Sequence, residues 1–354
     1  MITTIITTYQ RPLLLKRAIN SVLKQSHGQF QICVYDNAST DETEALMLEF
    51  IKKDKRIKYH RHKKNIGMMA NYEFALSKIN TPYFHLLSDD DYLFPDFYQT
   101  ALKGFQDFPD AAFSACSVLQ MNERGEFCAD PFLFWKKDGY FASQQGLFEM
   151  LEKRGKFPVP TGILFQNEFV KNIKPLFNND NQLHWDPDYL IQIAASYPIV
   201  ISKKYCAAYL VHSNSFAYSI YANLLQNIHN VEIYLKSTHA VMNRIKTNKS
   251  LTFFNKIKTK RLFKQYVVQD LVSFVKTYIS VSSYGGAHFS CKKFFKYFGF
   301  SFTVIFFHML AAISKGYSVI LNYFLRHEPQ VLSPLDATEL KKFHNYGQKL
   351  FNDH

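Results

Sequence analysis

Hydrophobic positions along the first ninety residues switch between two periods. Ile2 to Thr7 is a short β-branched run. Pro12 then opens a stretch in which Leu15, Ile19, Val22 and Leu23 recur at helical spacing, with proline where a first helical turn tolerates it. Phe30 to Tyr35 reads as a second strand and Asp41 to Lys52 as a second helix. Ile57 to Tyr59, Met68 to Ser77 and Tyr83 to Leu87 continue as strand, helix, strand. Such alternation with short links predicts a parallel sheet with helices on its faces.

Three polar clusters fall at the carboxyl ends of these strands: Thr7-Thr8-Tyr9, Asp36-Asn37-Ala38-Ser39 and Ser88-Asp89-Asp90-Asp91. Open α/β sheets bind ligands at that edge. The middle of the chain is less regular. Ala111 to Met121 predicts a strand, followed by the turn-like Asn122 to Gly125. Ser143 to Lys153 predicts a helix and Pro158 to Phe165 a strand. Asp186-Pro187 starts a helix to about Ser196, and Pro198 to Ser202 and Tyr205 to Val211 are two further strands. Beyond Ser219, Ala222 to Arg244 and Leu251 to Ser280 read as helices. From Phe294 to Leu325 the only charges are Lys296 and Lys315.

Charge divides the chain the same way. Of a net +13, residues 230–354 carry 18 Lys and Arg against 6 Asp and Glu, so the earlier part is close to neutral. An anionic partner is therefore expected at the second segment. Two readings of that segment stand: attachment to an anionic membrane face, and packing of its apolar side on the catalytic core or on a second subunit as a homodimer. The uncharged run Tyr297 to Ser314 is at the lower limit for crossing a bilayer and contains Gly299, His308 and serines, which weighs against spanning. Nothing in the chain has the form of a nucleic-acid motif, so no nucleic-acid partner is expected. The five dispersed cysteines form no C-x-x-C pair and suit a reducing compartment. The amino terminus has no basic leader, so a cytoplasmic protein, peripheral on the inner face of the membrane, is the expectation.

The acidic cluster carries the most chemistry. Carboxylates at a strand end can hold a hard divalent cation, which stabilises charge developing on a departing diphosphate as a Lewis acid. A solvated acidic turn is the bland alternative. Three consecutive carboxylates beside two other polar strand ends favour the site.

Residues Ile2 to about Phe97 resemble glycosyltransferase family 2. The family's opening Pro-Thr-Tyr-Asn-like turn is matched by Thr7-Thr8-Tyr9-Gln10-Arg11-Pro12, and its Ser-Val-Leu-x-Gln by Ser21 to Gln25. Asp36 to Thr43, Asn65-Ile66-Gly67 with Asn71, and Leu87 to Asp91 with Pro95 match its later blocks. The resemblance implies an α/β GT-A fold: a Rossmann-like, mostly parallel sheet flanked by helices. It also implies a nucleoside diphosphate sugar donor and a divalent metal, Mn²⁺ or Mg²⁺. Thr7 and Tyr9 would line the nucleotide pocket, Tyr9 stacking on the base. Asp36 and Asn37 would read the base edge or ribose, with Asn65, Asn71 and Asp90 also on the donor side. Asp91 would be the principal metal ligand, with Asp89 as a second candidate. Asn37 stands where many members have a second acid, and Ser88 where the motif often begins with Asp.

An inverting transfer needs a general base for the acceptor hydroxyl. The resemblance puts that acid at His184-Trp185-Asp186-Pro187-Asp188, at Asp186, with Asp188 the alternate. An Asp-Pro pair is also an ordinary helix start. Gly162 and His212 fall where the family has acceptor-side and donor-closing elements; a strand bend and a surface histidine are their plain alternatives. The expectation is a GT-A catalytic domain over 1–219, split into a nucleotide-binding half (1–97) and an acceptor half (98–219). A helical, basic and aromatic region over 220–354 follows it. The expected activity is an inverting, metal-dependent transfer of sugar to a glycan or lipid-linked acceptor, in bacterial surface polysaccharide synthesis. Two rivals are a sugar-nucleotide nucleotidyltransferase, which lacks its glycine-rich loop here, and a non-catalytic scaffold, which would have lost its acids.

Overall fold

The structure, a computed structural model, describes residues 1–122, 124, 126–129, 135, 138–152, 157–173, 182–212, 228–280, 284–299, 301, 303–305 and 337–352. The chain opens with β1 (Ile2–Thr8), α1 (Pro12–Leu23), β2 (Phe30–Asp36), α2 (Thr43–Lys53), β3 (Ile57–Arg61), α3 (Met68–Ser77) and β4 (Tyr83–Ser88). Each element lies where the periodicity predicts it. β3 runs two residues further than its apolar start, because Tyr35↔His60 and Asp36↔Arg61 extend its ladder to β2. The short β5 (Tyr92–Leu93), α4 (Phe97–Asp107), β6 (Phe113–Asn122), β7 (Phe127–Ala129), β8 (Gly139–Phe141) and α5 (Gln145–Glu152) follow.

The next segment departs from the reading of Pro158 to Phe165 as one strand. Pro160–Gly162 is a 3-10 turn and only β9 (Ile163–Gln166) is extended. Proline lacks the N–H that a ladder needs. After α6 (Asn167–Val170) and α7 (Trp185–Ser196), the two predicted runs merge into one strand, β10 (Ile199–Val211). Its register against β6 slips around Ser202 to Ala207, which absorbs the polar Lys203-Lys204 interruption.

Among the described residues the sheet has ten strands in the order β3-β2-β1-β4-β9-β6-β10-β5, with β7 on β6 and β8 on β10. The β3-β2-β1-β4 half is parallel; β9 runs antiparallel to both β4 and β6. The parallel register sets the site. Thr8 lies opposite Asp36, Asp36 opposite Arg61, and Thr7 opposite Ser88, so the three polar strand ends meet at one edge.

The carboxyl-terminal helices are α8 (Ile228–Thr247), α9 (Phe253–Ser280), α10 (Tyr284–Phe298) and α11 (Ala337–Asn352). Val231, Leu235, Phe263, Val267 and Phe294 lie in one buried cluster with Leu147, Leu190 and Ile193 of α5 and α7. The helical region therefore shares a core with the α/β part. Each such side chain contributes about 1.5–3 kcal/mol when fully buried. The expected boundary near 219 and most of 294–325 lie outside the described residues. Of that apolar run, Phe294 and Val304 are buried in the shared core. No described helix is long and apolar enough to cross a membrane.

Candidate active site

A cavity of about 360 Å³ opens at the carboxyl ends of β1, β2 and β4, lined by Thr7, Thr8, Tyr9, Arg11, Asn37, Met68, Asn71, Tyr72, Ser88, Asp89 and Asp90. Its floor is built by hydrogen bonds between the strand ends. The Tyr72 hydroxyl bonds Thr7 and Ser88. Asn71 Nδ2 donates to the Tyr35 carbonyl (2.9 Å), and Asn71 Oδ1 lies 3.0 Å from His62 Nε2. Asn37 Nδ2 donates to Asn65 Oδ1 (2.8 Å), and Asn37 Oδ1 accepts from the Ile66 N–H (2.8 Å). Gly67, at φ +86°, lets the chain turn into α3 directly after this clamp. Tyr9 stands at the mouth, 43% exposed.

The structure sorts the sequence-predicted residues into two groups. Thr7, Tyr9, Asn37, Asn71, Asp89 and Asp90 line the cavity. Asp36, Asn65 and Asp91 do not. Asp36 is wholly buried, accepting from the Ser39 N–H and hydroxyl (2.8 and 2.6 Å) and from the Tyr59 hydroxyl (2.7 Å). It shapes the loop that presents Asn37. Asn65 holds Asn37 and the Gly67 N–H from outside.

The acidic triplet divides within three residues. Asp89 Oδ2 accepts from Thr8 (2.8 Å), and Asp89 Oδ1 lies 3.3 Å from Arg11 Nη1. Asp90 Oδ2 takes Arg11 Nη1 at 3.0 Å and His212 Nε2 at 3.1 Å. Asp91 is enclosed, its carboxylate bonded to the Thr161 hydroxyl and to the Leu210 N–H (3.0 Å). The resemblance gives Asp91 as the principal metal ligand; here it is Asp89 and Asp90 that line the cavity. Asp91 fastens the motif to the Pro160–Gly162 turn and to β10, while Asp89 and Asp90 meet the cavity. Burial, and then the Asp90 charge, push the Asp89 carboxyl up to about 6. Burial acts the same way on Asp90, but the His212 hydrogen bond and the Arg11 charge outweigh it and hold that carboxyl below its ordinary value. Burial and the Asp90 charge push Asp91 up.

His212 thus joins the site, while its neighbour Ser213 lies outside the described residues. Gly162 packs closely against β6. A Cβ there would stand 2.4 Å from Val118 Cγ2 and 2.7 Å from the Cys116 carbonyl oxygen, so its small size serves packing against β6. Asp186 lies in the first turn of α7, after the cap residue His184. Its neighbour Trp185 packs on the cavity-lining Tyr72, ring centroids 5.7 Å apart. Burial pushes the Asp186 carboxyl up to about 7. Asp188 is engaged elsewhere. Arg244 Nη1 of α8 bonds its Oδ2 at 2.6 Å and Gln192 its Oδ1 at 3.1 Å, tying α7 to α8. Arg11 and Tyr72 are site residues that pattern reading passed over. Their signal was adjacency, Arg11 beside the first polar cluster and Tyr72 beside Asn71.

The carboxylates of Asp89 and Asp90 on the cavity are oxygen donors of the kind a hard divalent ion takes; His212 bonds Asp90, and the Arg11 guanidinium marks where positive charge is stabilised. Among the described residues no group of three His, Cys, Asp or Glu stands in ion-holding geometry. The remaining positions would fall to phosphate oxygens and water.

Residues 3–156 match the family Glycosyl transferase family 2. An uncharacterized glycosyltransferase of Rickettsia felis is 32% identical over 178 residues, covering 49% of this chain and 28% of that protein. A Campylobacter jejuni GalNAc(5)-diNAcBac-PP-undecaprenol beta-1,3-glucosyltransferase is 27% identical over 181 residues, 49% of this chain and 58% of that one. The chain spans only 18% to 28% of the length of the first three curated relatives it matches. In fold, it is similar to S. aureus TarS 1-349 in complex with UDP-GlcNAc, with TM-score 0.66, 12% identity, and 95% of this chain and 94% of that chain covered. The strand order, the cavity at the strand ends and the sequence match agree: the fold is GT-A, and residues 3–156 are similar to glycosyltransferase family 2.

Proposed function

We propose that the chain transfers a sugar, with inversion, from a nucleoside diphosphate sugar to a hydroxyl of a glycan or lipid-linked acceptor in surface polysaccharide synthesis. The observation that carries this reading is the convergence of Asp89, Asp90 and Arg11 on one cavity at the strand ends, with His212 bonded to Asp90. The base would stack on Tyr9 with its polar edge toward Asn37. Asn71 and Tyr72 would bound the ribose side. When bound, Mn²⁺ or Mg²⁺ held by Asp90, with Asp89 and His212 beside it, would neutralise the leaving diphosphate.

Asp186 takes the proton of the acceptor hydroxyl. Its raised carboxyl value suits proton transfer near neutrality, and Trp185 against Tyr72 keeps the start of α7 beside the donor cavity. The nucleotide-sugar and lipid-linked ligands of the TarS complex and the Campylobacter enzyme support the substrate classes. Cys33, Cys116, Cys206 and Cys291 are free thiols, which suits a reducing cytoplasmic setting.

A panel of nucleoside diphosphate sugars, screened by nucleotide release with Mn²⁺ and again with chelator, tests the reading. Donor-specific release that chelation abolishes is expected. Metal-independent release, or none from any donor in the presence of lipid-linked acceptors, would overturn it.

A further inference from the structure

The start of α9 presents an apolar face to solvent. Phe253, Phe254 and Ile257 are 72%, 79% and 51% exposed, while Phe263, Val267 and Leu271 further along the same helix are buried in the core. Spacings of three and four residues place Phe253, Phe254, Ile257 and Arg261 on one outward stripe. The first turns of the helix thus leave three large apolar side chains uncovered where its later turns bury theirs, and a cluster of exposed apolar side chains marks a surface that something else covers.

The charges around the stripe say what covers it. From Asn243 to Arg261 there are seven Lys and Arg and no Asp or Glu. Arg244 is committed to Asp188, and Lys258 to Glu152 at 3.0 Å. Lys246 in the last turn of α8 and Lys249 in the link that follows are exposed, as is Arg261 behind the aromatics. Two phenylalanines and an isoleucine flanked in the chain by basic side chains, with the one acid met, Glu152, already paired to Lys258, match the layout of a lipid headgroup boundary. The rings enter the acyl edge and the cations meet anionic headgroups. A second copy of this chain would set lysines against lysines, which disfavours a self-interface.

We propose that the Lys246–Arg261 segment docks the protein on an anionic membrane surface, with Phe253, Phe254 and Ile257 inserted into the headgroup layer. Docking of this kind is independent of the transfer chemistry. It also moves the attachment from the apolar run at 294–325, whose described part packs inward, to the head of α9.

Co-sedimentation of the full chain with phosphatidylcholine vesicles, with and without phosphatidylglycerol, tests it without any turnover. Binding is expected only to the anionic vesicles and is expected to weaken with salt. Phe253→Ser with Phe254→Ser, and separately Lys249→Glu with Arg261→Glu, should each reduce it by about tenfold or more. Both pairs are exposed and should leave the circular dichroism melt unchanged, so loss of binding cannot come from unfolding. A tryptophan in place of Phe254 should shift its emission to the blue on anionic vesicles. Unchanged binding in both double variants would overturn the proposal. So would a dimer in sedimentation velocity that the phenylalanine pair dissolves, or equal retention on polynucleotide with no vesicle binding.

Discussion

Arg11 Nη1 lies 3.0 Å from Asp90 Oδ2, so a cationic side chain rests on the carboxylate that faces the donor cavity. The same nitrogen reaches Asp89 Oδ1 at 3.3 Å. Arg11 therefore competes with any cation for this pair. Arg11→Gln should tighten Mn²⁺ binding in the absence of nucleotide by about tenfold, a modest effect for charges this close at an effective dielectric near 20. It should weaken nucleoside diphosphate binding, because a phosphate partner is lost. Titration calorimetry with the metal alone and then with the nucleotide reads both effects. Equal metal affinity in the two proteins would remove Arg11 from the site.

Asp90 and Asp91 should fail in different ways. Asp90→Asn is expected to reduce transfer by about a hundredfold or more while the protein melts normally. Asp91→Ala strands the Thr161 hydroxyl and the Leu210 N–H inside the core and removes one of the carboxylates near the buried Arg17. A stability loss of about 3–5 kcal/mol is expected in urea unfolding. Should Asp91→Ala melt like the parent and lose only metal binding, the assignment of Asp90 over Asp91 is wrong.

Asp186 predicts a pH dependence in both activity and stability. As a general base it must be ionised, so kcat/KM should rise with pH through about 7, and Asp186→Asn should reduce kcat by about 10²–10⁴ with little change in KM. For stability the sign runs the other way. Its folded value of about 7 lies above the ordinary 3.8, so the folded state holds the proton more tightly. The stability present below about pH 4 is lost as pH rises toward 7. Asp186→Asn should therefore be the more stable protein at pH 8, by about 2 kcal/mol once partial exposure is allowed for, and should gain nothing at pH 4. Asp188→Ala should instead destabilise at every pH above the carboxylate range, since it leaves the Arg244 charge without its partner.

The last described helix reaches back to the acidic motif. Leu350 is buried with Tyr92 and Phe94, just after Asp91, and its carbonyl accepts from Asn20 Nδ2 of α1 at 2.8 Å. Leu350→Ala should cost about 2–5 kcal/mol and raise the KM for donor, because the segment that aims Asp89 and Asp90 loses its backing. A stability loss with unchanged donor KM would show that α11 supports the fold without shaping the site.

Much of the architecture was legible before any coordinates, for a local reason. β1 to β4 and α1 to α3 follow from hydrophobic period alone, since a period of two or 3.6 is written within a few residues. The polar clusters at residues 7–9, 36–39 and 88–91 follow from the same reading, because a strand end is where an apolar run stops. The Pro160–Gly162 turn and the continuous β10 did not follow. Proline's missing donor and a slipped register matter only once β6 and β9 are in place as partners.

What the sequence by itself determined is a family resemblance over its first part, the parallel half-sheet and the set of polar residues from which a site could be made. Tertiary structure decided which of them face the cavity. Three successive aspartates are chemically identical in sequence. Asp89 and Asp90 reach the cavity because Thr8, Arg11 and His212 receive them there. Asp91 is taken inward because Thr161 and the Leu210 N–H, 70 and 119 residues away, offer it buried donors. The same holds for Asp186 and Asp188, two residues apart on one helix turn, where Arg244 of α8 captures the second. No local pattern encodes those partners. A side chain's direction at a strand end or helix start is set by which distant donors and charges the folded chain brings within about 3 Å of it.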